Sequence, residues 1–291
     1  MQNIIAKLNS DPMKKRLLIT WLSVLLFAAA EAQNYDYPSP VTTSLGLSGA
    51  TDTTAWSLFS NPSGLSSVHN PSVGVGYHNA FGISSLSARS FYVTLPNKIL
   101  TPGLSYVQYG DDLYKIQTFS GAAGRSISPR LQMGIRFDYL LRHIYGSEDE
   151  SAVVVDAGLS YKPSGNVRIA LFAQNPARSV ISDGFRDQVL PSSLAVACMV
   201  RLSPWFFFTA DLNYREDLSR QFYSFGLAVR LHKNASIQGV VSAKPVKLAL
   251  GSTLNWKGVE INFSANYHDL LGLSSTAGIA YTFDLRRGGA K

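Results

Sequence analysis

Fourteen candidate strands, most of them alternating apolar with polar residues, run over approximately residues 72–81, 86–96, 101–110, 114–127, 131–145, 151–163, 167–175, 191–203, 205–216, 221–232, 235–243, 247–256, 259–269 and 273–283. A strand turns successive side chains to opposite faces, so each stretch offers one face to an apolar medium and the other to a polar one. In VEINFSANYH, Val259, Ile261, Phe263, Ala265 and Tyr267 share one face, while Glu260, Asn262, Ser264, Asn266 and His268 share the other. FFTADLNYR sets Phe208, Ala210, Leu212 and Tyr214 against Thr209, Asp211, Asn213 and Arg215. Segments 101–110 and 114–127 alternate poorly and have the weakest boundaries.

A soluble two-sheet sandwich alternates as well, so the connections must decide. One set of turns is short: SISPR, KPSGN, SP, HKN and KG. The other set reads YGSEDES, REDLSRQ, HDLLG and the long NPARSVISDGFRDQV. Tight turns at one end and longer polar loops at the other are the asymmetry of an outer-membrane barrel. Tyr161, Trp205, Phe206, Trp256, Tyr281 and Phe283 fall near the short turns, and Tyr145, Tyr214, Tyr223 and Tyr267 near the loops, as two interfacial girdles would. The fold expected is therefore all-β, a transmembrane antiparallel β-barrel of about 14 strands. In its last strand Leu273, Ile279, Tyr281 and Phe283 face lipid, and Ser274, Thr276 and Gly278 face the lumen.

The N-terminus is consistent with this. MKKRLLITWLSVLLFAAAEA has a basic start, an apolar run from Leu17 to Ala30 and a small-x-small site at Ala30 to Ala32, the form of a secretory signal peptide. The pattern begins at Met13, which offers that residue as the natural start. The expected layout is a leader and signal peptide over 1–32, an N-terminal periplasmic hatch over 33–71, the barrel over 72–283 and a short tail over 284–291. Beyond the signal no apolar run has the length of a membrane helix. Without residues 1–32, which hold four basic and two acidic residues, the formal charge of +7 falls to +5, with the basic residues spread singly. Nucleic acid is not an expected partner of so dispersed a charge. The single cysteine, Cys198, cannot form an internal disulfide and reads as an apolar wall residue.

Ahead of the first strand lies SLGLSGATDTTAWSLFSNPSGLSSV, rich in Gly, Ser and Thr. Its Gly46, Gly49, Ala50, Asp52, Ala55, Asn61, Pro62, Gly64 and Leu65 resemble the N-terminal signature of FadL-like outer-membrane proteins, in particular the PorV/PorQ branch. Leu190-Pro191, opening a strand after a long loop, is a second echo. The resemblance implies fourteen strands and a hatch inside the barrel, with Asn61, Pro62, Gly64 and Leu65 forming its turn. Asn61 caps its own backbone, Pro62 fixes φ, and Gly64 is free to take a positive φ. The resemblance further implies either a gated transporter of small molecules, hydrophobic ones included, or an accessory of type IX secretion that binds cargo or plugs a translocon. Thr276, Gly278, Tyr281 and Phe283 also resemble the C-terminal signal read by the barrel assembly machinery, although DLRRGGAK continues beyond it. The partners implied are outer-membrane lipid, that machinery, and secretion-system components or cargo.

The lumen-facing set includes Arg136, Asp138, Asp156, Arg168, Arg201, Asp211, Arg215, Arg230, Glu260 and His268, together with Asn213, Asn255, Asn262 and Asn266. On the lipid face an arginine at mid-depth costs about 2–4 kcal/mol, so these residues are expected to point inward and brace one another. Catalysis is not expected. His268, Asn266 and Ser264 share a face, but residues two apart on one strand stand side by side without converging on one reacting atom. The five histidines show no metal-ligand spacing, and neither a metal nor a cofactor is expected.

Overall fold

The computed structural model describes residues 39–45, 49–182, 187–216, 220–243, 246–268 and 271–284. The leader, Gly46 and the end of the tail lie outside these. Strands are numbered along the chain: β1 Ser72–Asn79, β2 Ser87–Thr94, β3 Thr101–Gly110, β4 Tyr114–Ser126, β5 Leu131–Ile144, β6 Glu150–Ser164, β7 Val167–Gln174, β8 Val180–Ser182, β9 Asp187–Val189, β10 Ser193–Ser203, β11 Phe206–Arg215, β12 Arg220–His232, β13 Ala235–Ala243, β14 Lys247–Trp256, β15 Val259–His268 and β16 Gly272–Thr282. Each of the fourteen expected stretches matches one long strand to within two residues at either end. The short pair β8 and β9 was not expected and lies within the long connection from β7 to β10.

The fourteen long strands close into an antiparallel barrel. β1 pairs with both β2 and β16, and β5 pairs with β6, so the ladder has no free long edge. Closure satisfies most of the strands' backbone from their neighbours, as a hydrocarbon surrounding requires; on β6 the pairing with β7 begins only at Ala157 and that with β8 is the single pair Ser151–Ser182. Side chains follow the period of two. Outward residues such as Val75, Phe91, Leu104, Phe137, Phe225, Leu250, Phe263 and Ile279 are exposed, whereas inward ones such as Ser90, Ser120, Asp156, Thr209, Asn262 and Thr276 are buried. Leu250 at 68% exposure against Asn262 at 1% is the reverse of a water-soluble fold, and the polar interior with an apolar outer band identifies a transmembrane barrel. In β16, Leu273, Ile279 and Tyr281 are exposed while Ser274 and Thr276 are buried, as the alternation predicts.

Five connections at the loop end, 111–113, 145–149, 216–219, 244–246 and 269–271, have the lengths the alternation indicated, three to five residues each. The asymmetry of the two ends rests on 175–192, which carries β8 and β9, and on 80–86. At the short-turn end the connections are 127–130, 165–166, 204–205, 233–234 and 257–258, with a longer one at 95–100. Lys257 (φ 51°) and Gly258 (φ 89°) both take positive φ, the turn whose twist matches a two-residue hairpin.

Segments 101–110 and 114–127 are regular strands despite their poor alternation. Gly103, Ser105, Gly121, Ala123 and Gly124 put small residues on both faces and erase the contrast. The N-terminal segment lies inside the barrel. A one-turn helix, Thr42–Leu45, packs against β12 to β15, and two 3₁₀ turns, Ala55–Phe59 and Pro62–Ser67, follow, the second against β4, β5 and β6.

Candidate functional site: the plug and the lumen it faces

The plug is organised by short-range caps. Asp52 Oδ1 accepts from the Thr54 amide at 2.8 Å, Thr54 Oγ1 from the Trp56 amide at 3.2 Å, and Asn61 Oδ1 from the Ser63 amide at 3.0 Å. These side chains satisfy amides at the start of each 3₁₀ turn that have no partner within it. Trp56, Leu58 and Leu65 are fully buried, and each contributes on the order of 1.5–3 kcal/mol by burial. Trp56 stands edge-on to Tyr92, ring centres 4.9 Å apart.

The four expected turn residues act together. Asn61 is fully buried, and its amide donates to the Ala50 carbonyl at 2.8 Å and to Leu171 O on β7 at 3.4 Å. Pro62 opens the second 3₁₀ turn and Leu65 fills the core. Gly64 differs from expectation, because its φ is not positive. Glycine is required there for space: a Cβ would lie 2.2 Å from the Asp52 carbonyl oxygen and 2.7 Å from Ser57 Cβ.

The barrel wall mirrors that closeness. Gly124 on β4, Gly134 on β5 and Gly158 on β6 stand directly opposite one another in the ladder. A Cβ at Gly134 would come within 2.3 Å of the Pro62 carbonyl carbon, one at Gly158 within 1.9 Å of Asn61 Oδ1, and one at Gly124 within 2.7 Å of Pro62 O. The row is thus a backbone seat for the plug. Beside it, Ser63 Oγ and Ser160 Oγ are 2.7 Å apart. The row was not foreseen, since its members are far apart in sequence and only the register aligns them.

The expected lumen residues occupy three kinds of place. Arg136, Asp138 and Asp156 form one buried cluster. Arg136 Nε donates to Asp138 Oδ2 at 3.1 Å, Nη2 pairs with Asp156 Oδ2, and Nη1 donates to the plug carbonyl Leu58 O at 2.8 Å. Asp156 Oδ1 accepts from the Asn175 amide at 2.8 Å. Arg168, half-buried, donates to Gln132 Oε1 at 2.9 Å, and Gln132 Nε2 donates to Ser67 Oγ at 3.1 Å, a second link from wall to plug. Across the lumen, Glu260 Oε1 accepts from Trp56 Nε1 at 3.1 Å and from Asn262 Nδ2 at 2.7 Å, Asn262 Oδ1 accepts from Thr253 Oγ1 at 2.7 Å, and Gln238 Nε2 donates to Thr253 Oγ1 at 3.3 Å.

The remaining members lie elsewhere. Asp211 is buried and accepts from Ser224 Oγ at 3.1 Å, and Arg215 and His268 are buried near the loop end. Arg201 and Arg230 point to the lumen side but are exposed at the short-turn mouth, their guanidinium carbons 5.3 and 5.5 Å from the Phe207 ring centre. Asn213 shares its strand face with Asp211, while Asn255 is exposed near a turn. Cys198 is partly exposed in the wall. Gln132 and the buried ion pair Arg142–Glu150 were missed, although β5 puts Gln132, Gly134, Arg136, Asp138 and Arg142 on one face by simple alternation.

Asp52 is buried where the plug meets the wall, near Glu260 of β15 and Arg168 of β7. Burial pushes its carboxyl up to about 7, with the negative charge of Glu260 adding to the effect and the hydrogen bonds from Thr54 opposing it.

Between the plug and the loop end is a cavity of about 110 Å³. Phe59 of the plug lines it together with Val107, Ser120, Arg136, Asp138, Leu140, Val154, Leu190 and Arg215 of the wall and loop. Ser192 and Ser193 also border a recess of about 260 Å³ on the other side, lined by Arg178, Leu194, Tyr214 and Glu216, with Arg178 paired to Glu216 across it.

No protein-family model matches the chain, and no curated protein matches it. Solved structures do. A CymD monoaromatic hydrocarbon channel aligns with 12% identity and a TM-score of 0.66, covering 87% of this chain and 99% of that one. The toluene transporter TbuX of Ralstonia pickettii aligns with 13% identity and a TM-score of 0.64, covering 86% and 98%. A FadL homologue of Pseudomonas aeruginosa aligns with 10% identity and a TM-score of 0.58, covering 84% and 98%. At such identities the likeness is one of fold: this chain is built as a FadL-like barrel with its N-terminal segment inside.

Proposed function

We propose that this protein is an outer-membrane channel, exported by its signal peptide, that admits small molecules through a lumen closed by residues 45–68. The observation carrying this reading is the plug itself, a separate, self-capped unit seated on a glycine-paved wall, with a cavity on the side facing the loops. A lumen needed only for bracing would be filled by wall side chains. The named activities of the hydrocarbon channel and the toluene transporter support transport of small molecules over catalysis.

A second reading, the PorV/PorQ-type accessory of type IX secretion, draws support from the tightness of the seat. Trp56, Leu58, Asn61 and Leu65 are fully buried, as a permanently closed barrel would favour. Planar-bilayer conductance separates the two. Under the transport reading, Gly64→Val or deletion of residues 45–65 raises small-solute conductance while heat-modifiable electrophoretic mobility shows the barrel still folded. Equal conductance in the wild type and both variants means that the segment gates nothing.

A further inference from the structure

We propose that the cavity above the plug binds a one-ring-sized amphipathic molecule that donates a hydrogen bond to Asp138, so that the cargo carries a hydroxyl or amino group. The inference rests on the transport reading and narrows it to a class of substrate.

Size is the first support. An apolar cavity of about 150 Å³ takes up benzene, so the 110 Å³ here limits the enclosed part of a guest to no more than a single ring. The second support is the division of the lining. Phe59, Val107, Leu140 and Leu190 offer an apolar side, and Ser120, Asp138 and the adjoining arginines a polar one. A bare hydrocarbon satisfies only the first.

The third support is an unmet acceptor. Asp138 is 8% exposed, and its Oδ2 is held by Arg136. Its buried Oδ1 has no hydrogen-bond partner among the described residues. Buried acceptors are seldom left so, and a guest hydroxyl or amine supplies the missing donor after a small rotation of the carboxylate. Ser120 stands directly across the ladder from Asp138, which places a hydroxyl within reach of the same guest group. A site built around such a pair rejects an analogue that lacks the donor, because its own polar atoms then stay unpaired.

The test is calorimetric titration of the full chain in lipid nanodiscs with benzyl alcohol, benzaldehyde and toluene, after subtracting the heats of protein-free nanodiscs. Wild type is expected to bind benzyl alcohol roughly tenfold more tightly than the other two, in line with one added charge-assisted hydrogen bond. In Asp138→Asn the amide oxygen still accepts from Arg136 while the NH₂ replaces the bare oxygen, so the preference turns toward benzaldehyde. Ser120→Ala, which leaves the ion pairs intact, lowers benzyl alcohol affinity several-fold and leaves toluene unchanged. Toluene binding within twofold of benzyl alcohol in wild type, an unchanged order in both variants, or no binding of any of the three overturns the inference. Conductance of the plug deletion is read separately. A conducting deletion without alcohol preference overturns this inference alone, and alcohol preference in a chain whose deletion does not conduct overturns the transport reading alone.

Discussion

The two walls of the lumen hold the plug by opposite means. On the β4–β6 side the wall gives up side chains: Gly124, Gly134 and Gly158 let the backbone of Asn61 to Ser63 come into direct contact, and Arg136 reaches over to the Leu58 carbonyl. On the β12–β15 side the wall extends side chains, and a chain of hydrogen bonds from Gln238 through Thr253, Asn262 and Glu260 ends on the Trp56 indole. A contact made by backbone fit tolerates no added atom, whereas one made by hydrogen-bonded side chains can readjust or change protonation. The first wall therefore fixes where the plug sits, and the second adjusts how firmly.

The largest effect should come from removing the cation of the first wall. Arg136→Met leaves Asp138 and Asp156 buried without their counter-charge, at a cost of about 3–5 kcal/mol. Urea unfolding in lipid should show this loss, and adding Asp156→Asn should restore part of it. An Arg136→Met barrel as stable as wild type would mean that the cluster is not a brace.

Next is the glycine seat. Gly134→Val places a Cβ against Pro62 that cannot be accommodated without displacing the plug, at a cost of about 1–3 kcal/mol. Because the strand pairing is untouched, the expected outcome is a folded barrel with raised conductance. A conductance equal to wild type would show that the plug adapts to the wall and would erase the contrast between the two sides.

A third effect depends on pH and belongs to the plug's own Asp52, which stands near Glu260 of the second wall. The seated plug holds the Asp52 carboxyl at about 7, above its ordinary 3.8, so the seated state binds more protons than a released one between those values. Seating is thus weakest above pH 7, strengthens as pH falls through 7, and gains nothing further below about 4. Conductance recorded from pH 8 to pH 5 should decline in wild type and stay flat in Asp52→Asn. A decline of equal size in the variant would assign the pH response to another group.

How much of this was legible beforehand follows from the range of each signal. Strand identity and facing depend on neighbours two residues apart, so all fourteen long strands and the inward placing of Arg136, Asp138 and Asp156 could be read directly. The Asn61–Leu65 turn was also readable from local chemistry, but the reason for Gly64 was not, because the atom it avoids belongs to Asp52, twelve residues earlier. The glycine row needs the register of three strands at once. β8 and β9 are three residues each, too short to show a period. Exposure of Arg201 and Arg230 at the mouth depends on where each strand ends relative to the barrel axis, which alternation does not encode.

The central claim, that the segment sits inside the barrel and closes it, is tested most directly by tying it there. Ser63 Oγ and Ser160 Oγ are 2.7 Å apart, close enough for a disulfide between cysteines at the two positions. In a Cys198→Ala background, Ser63→Cys with Ser160→Cys is expected to cross-link under mild oxidation in native membranes and to hold bilayer conductance at the closed level until reductant is added. Failure of the pair to cross-link, or a cross-linked protein that conducts like the deletion of residues 45–65, would contradict the account.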